Sequence, residues 1–351
     1  LSIRASIIGA TGYTGVELIR ILSQHREVKI SKIVSESKQE QSLASVFPHL
    51  SHIENIDFSS LDIDAIVQDS DIAFLALPHT AAAPIAEKLL KCGVKVIDLS
   101  ADLRLKSGSL YTRWYNHEAP SDELLADAVY GLPEIGKREQ IKKSNLIANP
   151  GCYPTASILA VTPLITNNLL DIGAGSLILD AKSGISGAGR KLSLNSHFCE
   201  VSNGFAAYQV GGIHRHIPEI EQELSILAKQ QVSIMFTPHL IPIPRGLMVT
   251  AYCKLKTNVA LSEVANLYKK YYQDSYFVRI RHDDANPTTK SVAGTNFCDI
   301  SLYLDERNGY LVVVSVIDNL IKGASGQAVQ NMNLMYGFAE QTGIEHIALY
   351  P

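Results

Sequence analysis

The sequence predicts an α/β protein of two domains, a doubly wound parallel unit followed by an α+β unit with a mainly antiparallel sheet. Three observations lead there. Short apolar runs at 3–8, 28–34, 71–77 and 94–97 alternate with helical stretches such as 81–92, the pattern of buried parallel strands joined by helices. From residue 232 the runs lengthen and alternate, at 232–237, 247–256, 295–304 and 310–317, the last two joined by Asp305-Glu306-Arg307-Asn308-Gly309, which reads as an antiparallel sheet. A chain of 351 residues also exceeds what one small core needs.

Composition narrows the function classes. The chain is 46% apolar and 19% charged, with 31 basic against 35 acidic residues and no basic block, so nucleic acid is not an expected partner. Its longest apolar stretches, 72–77 and 311–317, are strand-length, well short of the roughly 20 residues that span a bilayer, so no membrane association is expected. The opening runs directly into a strand and a glycine turn, leaving no room for a signal peptide. Cys92, Cys152, Cys199, Cys253 and Cys298 are scattered, odd in number and without CxxC spacing; no disulfide framework or metal site is expected, and a cytoplasmic setting fits.

The first strand is followed at once by Gly9-Ala10-Thr11-Gly12-Tyr13-Thr14-Gly15, after which Val16, Ile19 and Leu22 step at helical spacing. Strand, glycine turn and helix is the grammar of a Rossmann-type dinucleotide-binding domain. Glycine lets the backbone approach a pyrophosphate, and the helix N-terminus supplies N–H donors and positive potential. The second strand ends in Val34-Ser35-Glu36-Ser37-Lys38, where a cofactor ribose is read. Glu36 suits the free 2′-hydroxyl of NAD, whereas Ser35, Ser37 and Lys38 suit the 2′-phosphate of NADP, so side-chain chemistry leaves both open. The third strand runs into Leu77-Pro78-His79-Thr80, where His79 reads first as a loop hydrogen-bonding residue and second as a neighbour of the nicotinamide.

The second half opens with a strand at 145–148, then Asn149-Pro150-Gly151-Cys152-Tyr153-Pro154-Thr155, then a helix over 156–170. Cys152 therefore stands on a strand-to-helix turn, with Pro154 compatible with a helix start. At the positive end of a helix a sulfur is favoured as thiolate, and its neighbouring N–H groups can stabilise an oxyanion. The other reading is a small buried hydrophobe. A nucleophile needs a proton acceptor, and His214-Arg215-His216 precedes a helix whose stripe is Ile217, Ile220, Leu224 and Leu227. Extended backbone over 214–216 is expected to turn both histidines to one side, and the helix N-terminus behind them to keep His216 neutral. A metal pair and surface histidines are the competing readings.

Three further segments are candidates for binding carboxylate or phosphate. They are the Ser183-Gly184-Ile185-Ser186-Gly187-Ala188-Gly189-Arg190 loop, Pro242-Ile243-Pro244-Arg245-Gly246, and Asp98-Leu99-Ser100-Ala101-Asp102-Leu103-Arg104. Each also reads as a structural loop or ion pair. The stretch from Asp318 to Gln327 enters a last helix, with Ala328, Met332 and Met335 apolar, which returns to the first domain.

Together these motifs resemble the N-acetyl-γ-glutamyl-phosphate reductases, within the semialdehyde dehydrogenase group. The likeness runs through GATGYTG at 9–15, DLSADLR at 98–104, YGLPE at 130–134, NPGCYPT at 149–155, SGISGAGR at 183–190, HRHIPE at 214–219, PRG at 244–246 and KGASGQAVQNMN at 322–333. The resemblance implies NADP(H), a cysteine nucleophile at Cys152, a histidine partner within HRHIPE, and a homodimer or homotetramer. It implies a Rossmann domain from 1–150 with 322–351 and a catalytic and oligomerisation domain at 151–321.

On this resemblance the candidate cofactor contacts are Gly9, Thr11, Gly12, Tyr13, Thr14, Gly15, Ser35, Ser37, Pro78, Ser183, Gly184, Asn319, Lys322 and Gly323. The candidate substrate contacts are Arg104, Asn149, Arg190 and Arg245, with Lys182 a further cation. The small-molecule partners implied are an acyl phosphate and inorganic phosphate. Cys152 would attack the acyl phosphate and form a thioester, with His216 as acid/base and His214 nearer the substrate, or the two exchanged. Two positions depart from the family pattern: Ser35-Glu36-Ser37 lacks an arginine, and Thr80 stands where glycine is usual. An aspartate-semialdehyde dehydrogenase and a non-catalytic NADP(H)-binding sensor are the alternatives.

Overall fold

A computed structural model describes residues 2–53, 56–281 and 286–350. The chain divides into two compact units, Leu1–Pro150 with Ala324–Glu345, and Gly151–Gly323 with His346–Pro351. The return to the first unit thus begins at Ala324, not at 322. The chain end departs from the expected division: residues from His346 join the second unit, where the Leu349 N–H donates to the Ala293 carbonyl at 3.2 Å.

In the first unit the strands are β1 (Ile3–Ile8), β2 (Val28–Val34), β3 (Phe58–Ser59), β4 (Ile72–Leu75), β5 (Lys95–Asp98), β6 (Val129–Tyr130) and β7 (Leu146–Ala148). Between them run α1 (Tyr13–Leu22), α2 (Leu43–Val46), α3 (Ile63–Asp69), α4 (Ala83–Lys91), α5 (Gly108–Tyr115), α6 (Asp122–Asp127) and α7 (Arg138–Lys143). The strands form one parallel sheet in the order β3-β2-β1-β4-β5-β7-β6. Strands covered on both faces must be apolar on both, which is why β4, Ile-Ala-Phe-Leu, is buried throughout. The order reverses between β1 and β4, so the crevice at their carboxyl ends is the place where such a sheet takes a ligand.

The second unit opens with α8 (Cys152–Thr166), followed by β8 (Leu177–Gly184), α9 (Phe198–Val201), β9 (Ala206–Ala207), α10 (His216–Ala228), β10 (Met235–Ile241) and β11 (Leu247–Lys254). It continues with α11 (Leu261–Tyr271), β12 (Val278–Ile280), β13 (Cys298–Asp305) and β14 (Tyr310–Ile317), and a π-helical turn at Ile321–Ser325 leads to α12 (Gly326–Met335) in the first unit. The sheet order is β12-β13-β14-β11-β8-β10-β9. It is mainly antiparallel, but β10 runs parallel to β8 and β12 parallel to β13. The mainly antiparallel sheet is the one expected; β8 and β10 are parallel because α10 lies between them as a crossover, and a crossover returns the chain in the same direction.

Helix α8 packs on β11 and β14 and is buried from Tyr153 to Ile165. Pro163 lies inside it, so the Leu159 carbonyl lacks its usual helical donor. The hydroxyl of Tyr272 donates to that carbonyl at 2.6 Å, and the hydroxyl of Tyr268 to the next one, Ala160, at 2.7 Å. Helix α12 is buried along its whole length despite its amides, several of which are bonded inside the unit: Asn331 Nδ2 donates to the Gly131 carbonyl and Gln330 Nε2 to Glu134.

Candidate active site

The glycine turn occupies the crevice of the first sheet. Gly9 has φ +87°, and a Cβ there would lie 2.2 Å from the Ala76 carbonyl oxygen beyond β4. A Cβ on Gly15 would lie 2.6 Å from the Gly9 oxygen, whereas at Gly12 the nearest atom is 3.6 Å away. Gly9 and Gly15 thus close the turn, and Gly12 leaves its mouth clear. Gly12 is the N-cap of α1 and supplies no side-chain cap to the first turn, which carries Tyr13 and Thr14, with Tyr13 39% exposed. A first turn without a capping side chain suits a pyrophosphate.

Beside it the hydroxyls of Thr11 and Ser35 lie 3.2 Å apart, and those of Ser35 and Ser37 3.3 Å apart. Glu36 is engaged elsewhere: its carboxylate accepts from the Leu61 N–H at 2.9 Å and from Gln39 at 3.0 Å. The ribose-reading corner thus presents hydroxyls, while the acidic group is tied down. These residues fit a dinucleotide.

The loop holding Pro78 is clamped by the DLSADLR segment. Asp102, fully buried, accepts from the N–H groups of Thr80 at 2.6 Å, Ala82 at 2.9 Å and Ala83 at 3.2 Å, and from the Tyr111 hydroxyl. His79 accepts the Ala101 N–H at Nδ1, the hydrogen-bonding role read first from the sequence. Thr80, in the glycine position, is held at φ +75°. Asp98, also buried, is raised to about 7 by desolvation and by the nearby Asp102. Arg104 is 5% exposed, and its guanidinium donates to the carbonyls of Asn149 and Leu99. Asn149 donates to the Ala324 carbonyl and accepts from Asn331. Both side chains are thus bound to the chain itself, and the DLSADLR segment braces the turn before Cys152.

In the second unit Cys152 is the first residue of α8, four residues earlier than the pattern predicts, and it is partly exposed. Gly151 is its N-cap and carries no capping side chain; its N–H donates to Glu219 at 2.9 Å. A Cβ on Gly323 would lie 2.7 Å from the Cβ of Cys152, so glycine there makes room for the cysteine.

His214 and His216 do not lie on extended backbone. Arg215 has φ −61° and ψ −16°, and His216 already begins α10. The turn still brings the rings together, with centroids 4.9 Å apart, because the His216 N–H donates to Nδ1 of His214 at 3.1 Å. That bond places the remaining proton of neutral His214 on Nε2. Burial, with Arg215 nearby, lowers His214 to about 4. Tyr153, Tyr208 and Phe236 complete an aromatic cluster around it, with centroids 5.8, 5.5 and 5.2 Å from its ring.

The remaining candidates separate. Ser183 and Gly184 belong to β8, not to a loop, and Ile185–Ala188 is a 3-10 turn; the motif is exposed from Gly187 to Arg190, its one cation. Asn319 ties the two neighbouring loops together, accepting the Gly246 N–H at 2.8 Å and donating to Ser186 at 2.9 Å. Lys322 has no exposed surface, its ammonium 5.5 Å above the Phe277 ring. Arg245 reaches Asp318 at 3.5 Å and remains one-third exposed. Lys182 pairs with Asp180. Sequence reading missed Glu219, Tyr208 and Asp318. Glu219 stood in HRHIPE with a carboxylate in the first turn of a helix, whereas nothing in the local pattern marks Tyr208.

Among the described residues no group of three or more His, Cys, Asp or Glu is placed to hold a metal, and no helix is long and apolar enough to cross a membrane.

A glycine turn at the sheet crevice of one unit and, in the other, a partly exposed cysteine opening a helix and a close pair of histidines are features of an oxidoreductase. Residues 4–144 match the semialdehyde dehydrogenase NAD binding domain and residues 152–319 the semialdehyde dehydrogenase dimerisation domain. The chain belongs to the semialdehyde dehydrogenase family. Within it, the chain is 49% identical over 351 residues to the N-acetyl-gamma-glutamyl-phosphate reductase of Pelotomaculum thermopropionicum, covering 100% of both. It is 48% identical over 350 residues to that of Geotalea daltonii, covering 99% of this chain and 100% of the relative. Aspartate semialdehyde dehydrogenases share the fold: that of Candida albicans with NADP gives a TM-score of 0.69 at 15% identity, covering 96% of this chain and 99% of that one. Aspartate semialdehyde dehydrogenase II of Vibrio cholerae complexed with ASA gives 0.73 at 15% identity, with the same coverage.

Proposed function

We propose that the chain is an N-acetyl-γ-glutamyl-phosphate reductase of arginine biosynthesis, converting N-acetyl-L-glutamyl 5-phosphate to the 5-semialdehyde and phosphate with NADPH. The observation that carries this reading is Cys152 as the uncapped first residue of α8, partly exposed, in a chain matching its named relatives from end to end.

In this reading the Cys152 thiolate attacks the acyl carbon, the C–O bond to phosphate breaks with its electron pair, and a thioester remains on sulfur. The N–H groups of the first turn of α8 receive the developing oxyanion. Bound NADPH supplies the hydride that takes the acyl group to the aldehyde level. His216 moves the proton at that oxygen, because His214 is held neutral by burial and by the bond it accepts, which suits a fixed donor at Nε2. Arg190, exposed, and Arg245, one-third exposed, are the cations assigned to phosphate or carboxylate. The coenzyme preference for NADP rests on the Thr11, Ser35 and Ser37 hydroxyls and on the tied Glu36.

In this reading the chain forms a homo-oligomer through the second unit; its match to a dimerisation domain, and a sheet that leaves Tyr252 37% and Met235 57% exposed, support that. The cysteines among the described residues are all free, which fits a cytoplasmic site of action.

The test is Cys152→Ser. Semialdehyde oxidation with phosphate and NADP, followed by absorbance of the reduced nicotinamide, is expected to vanish while NADPH binding by fluorescence stays intact. Turnover in the serine variant above about a hundredth of the wild-type rate would remove the covalent scheme.

A further inference from the structure

We propose that Tyr208 is a specificity-determining residue, its hydroxyl oxygen accepting a hydrogen bond from the amide N–H of an N-acylated substrate held at Cys152. The inference rests on the reductase reading and extends it to how the acyl-amino group is recognised.

Tyr208 lies between β9 and α10 in a stretch whose other large apolar side chains face solvent: Phe205 is 69% exposed, Val210 49% and Ile213 63%. Tyr208 instead turns inward. Its N–H donates to the Pro238 carbonyl at 3.1 Å, just after β9 pairs with β10, and its ring sits 5.5 Å from His214. Its hydroxyl oxygen is 3.3 Å from that of Tyr153, the residue next to Cys152.

Proton bookkeeping fixes what this hydroxyl can do. The His239 carbonyl can only accept, so Tyr153 donates its one proton there, at 3.0 Å. The Tyr208 hydroxyl donates its own proton to the Tyr153 oxygen. What Tyr208 has left is lone pairs, with no donor. Burial, and Cys152 within electrostatic reach, push its ionisation up to about 12, so it stays a neutral phenol. An acceptor-only group repels phosphate and carboxylate oxygens and takes an N–H. An N-acetylated glutamyl phosphate, ionised at neutral pH, carries one nitrogen-bound proton, on the amide, so the match is unambiguous.

The experiment compares Tyr208→Phe with wild type in phosphate-dependent oxidation of two aldehydes, N-acetylglutamate semialdehyde and glutarate semialdehyde, which lacks the acetamido group. For the N-acetylated aldehyde kcat/KM is expected to fall roughly 10-fold, mostly through KM, the size of one lost hydrogen bond. For glutarate semialdehyde the two enzymes should agree within about 2-fold, and iodoacetamide should alkylate Cys152 at the same rate in both. Equal losses on both aldehydes, or none on the N-acetylated one, overturn the assignment of Tyr208 alone. A wild type that is inactive on the N-acetylated aldehyde overturns the reductase reading and this inference with it.

Discussion

Glu219 accepts the Gly151 N–H at 2.9 Å, so the helix that begins with His216 holds the cap of the helix that begins with Cys152. Glu219 is 1% exposed. Removing a buried acceptor leaves its donor unsatisfied, so Glu219→Ala is expected to cost about 1–3 kcal/mol in urea unfolding and roughly 10-fold or more in kcat. Glu219→Gln keeps an acceptor and should recover most of the stability. Alanine and glutamine variants of equal stability would show that the bond is not what holds the turn.

His214 makes the protein acid-sensitive. Its folded value is lowered to about 4, below the ordinary 6.5, so the unfolded chain binds the proton first as pH falls. The stabilisation is complete above pH 6.5 and is lost between there and about 4. Fully expressed, that difference is worth about 3 kcal/mol. Urea unfolding from pH 7.5 to 4.5 should therefore show a fall in stability with acid that is shallower in His214→Gln, where the titrating ring is gone.

Gly323→Ala places a methyl group 2.7 Å from the Cys152 Cβ, closer than two such carbons can stand. One of the two must move. The expected result is a kcat lowered by roughly 10-fold or more, with a changed rate of Cys152 alkylation, since about 1 Å of misplacement at a nucleophile is enough.

Thr80 is a β-branched residue held at φ +75° by the bond from its N–H to Asp102. Thr80→Gly relieves that strain and is expected to raise stability by about 1 kcal/mol, read as a higher Tm, because the gain exceeds the entropy that glycine adds to the unfolded chain.

Tyr272 supplies the donor that Pro163 denies to Leu159. Tyr272→Phe should cost about 1–3 kcal/mol on its own. In a Pro163→Ala background the backbone N–H at 163 can satisfy the carbonyl, so the same change should cost less, and a double-mutant cycle in denaturant measures the coupling.

The sequence by itself determined the alternation of short apolar runs and helices in the first unit, the glycine turn after β1, and a cysteine at a strand-to-helix corner. Each is set by neighbours in the chain: strand burial repeats over a few residues, and only glycine tolerates the Gly9 conformation and its 2.2 Å approach to Ala76. Tertiary structure decided what depends on partners far along the chain. It made β8 and β10 parallel, turned 214–216 into a helix start, buried Lys322, bound Arg104 to the chain's own carbonyls, and brought Glu219 to Gly151 and Tyr208 to Tyr153. A side chain's charge and shape say which bonds it can form, whereas the donor or acceptor that takes it up, often tens of residues away, is chosen only when the elements pack.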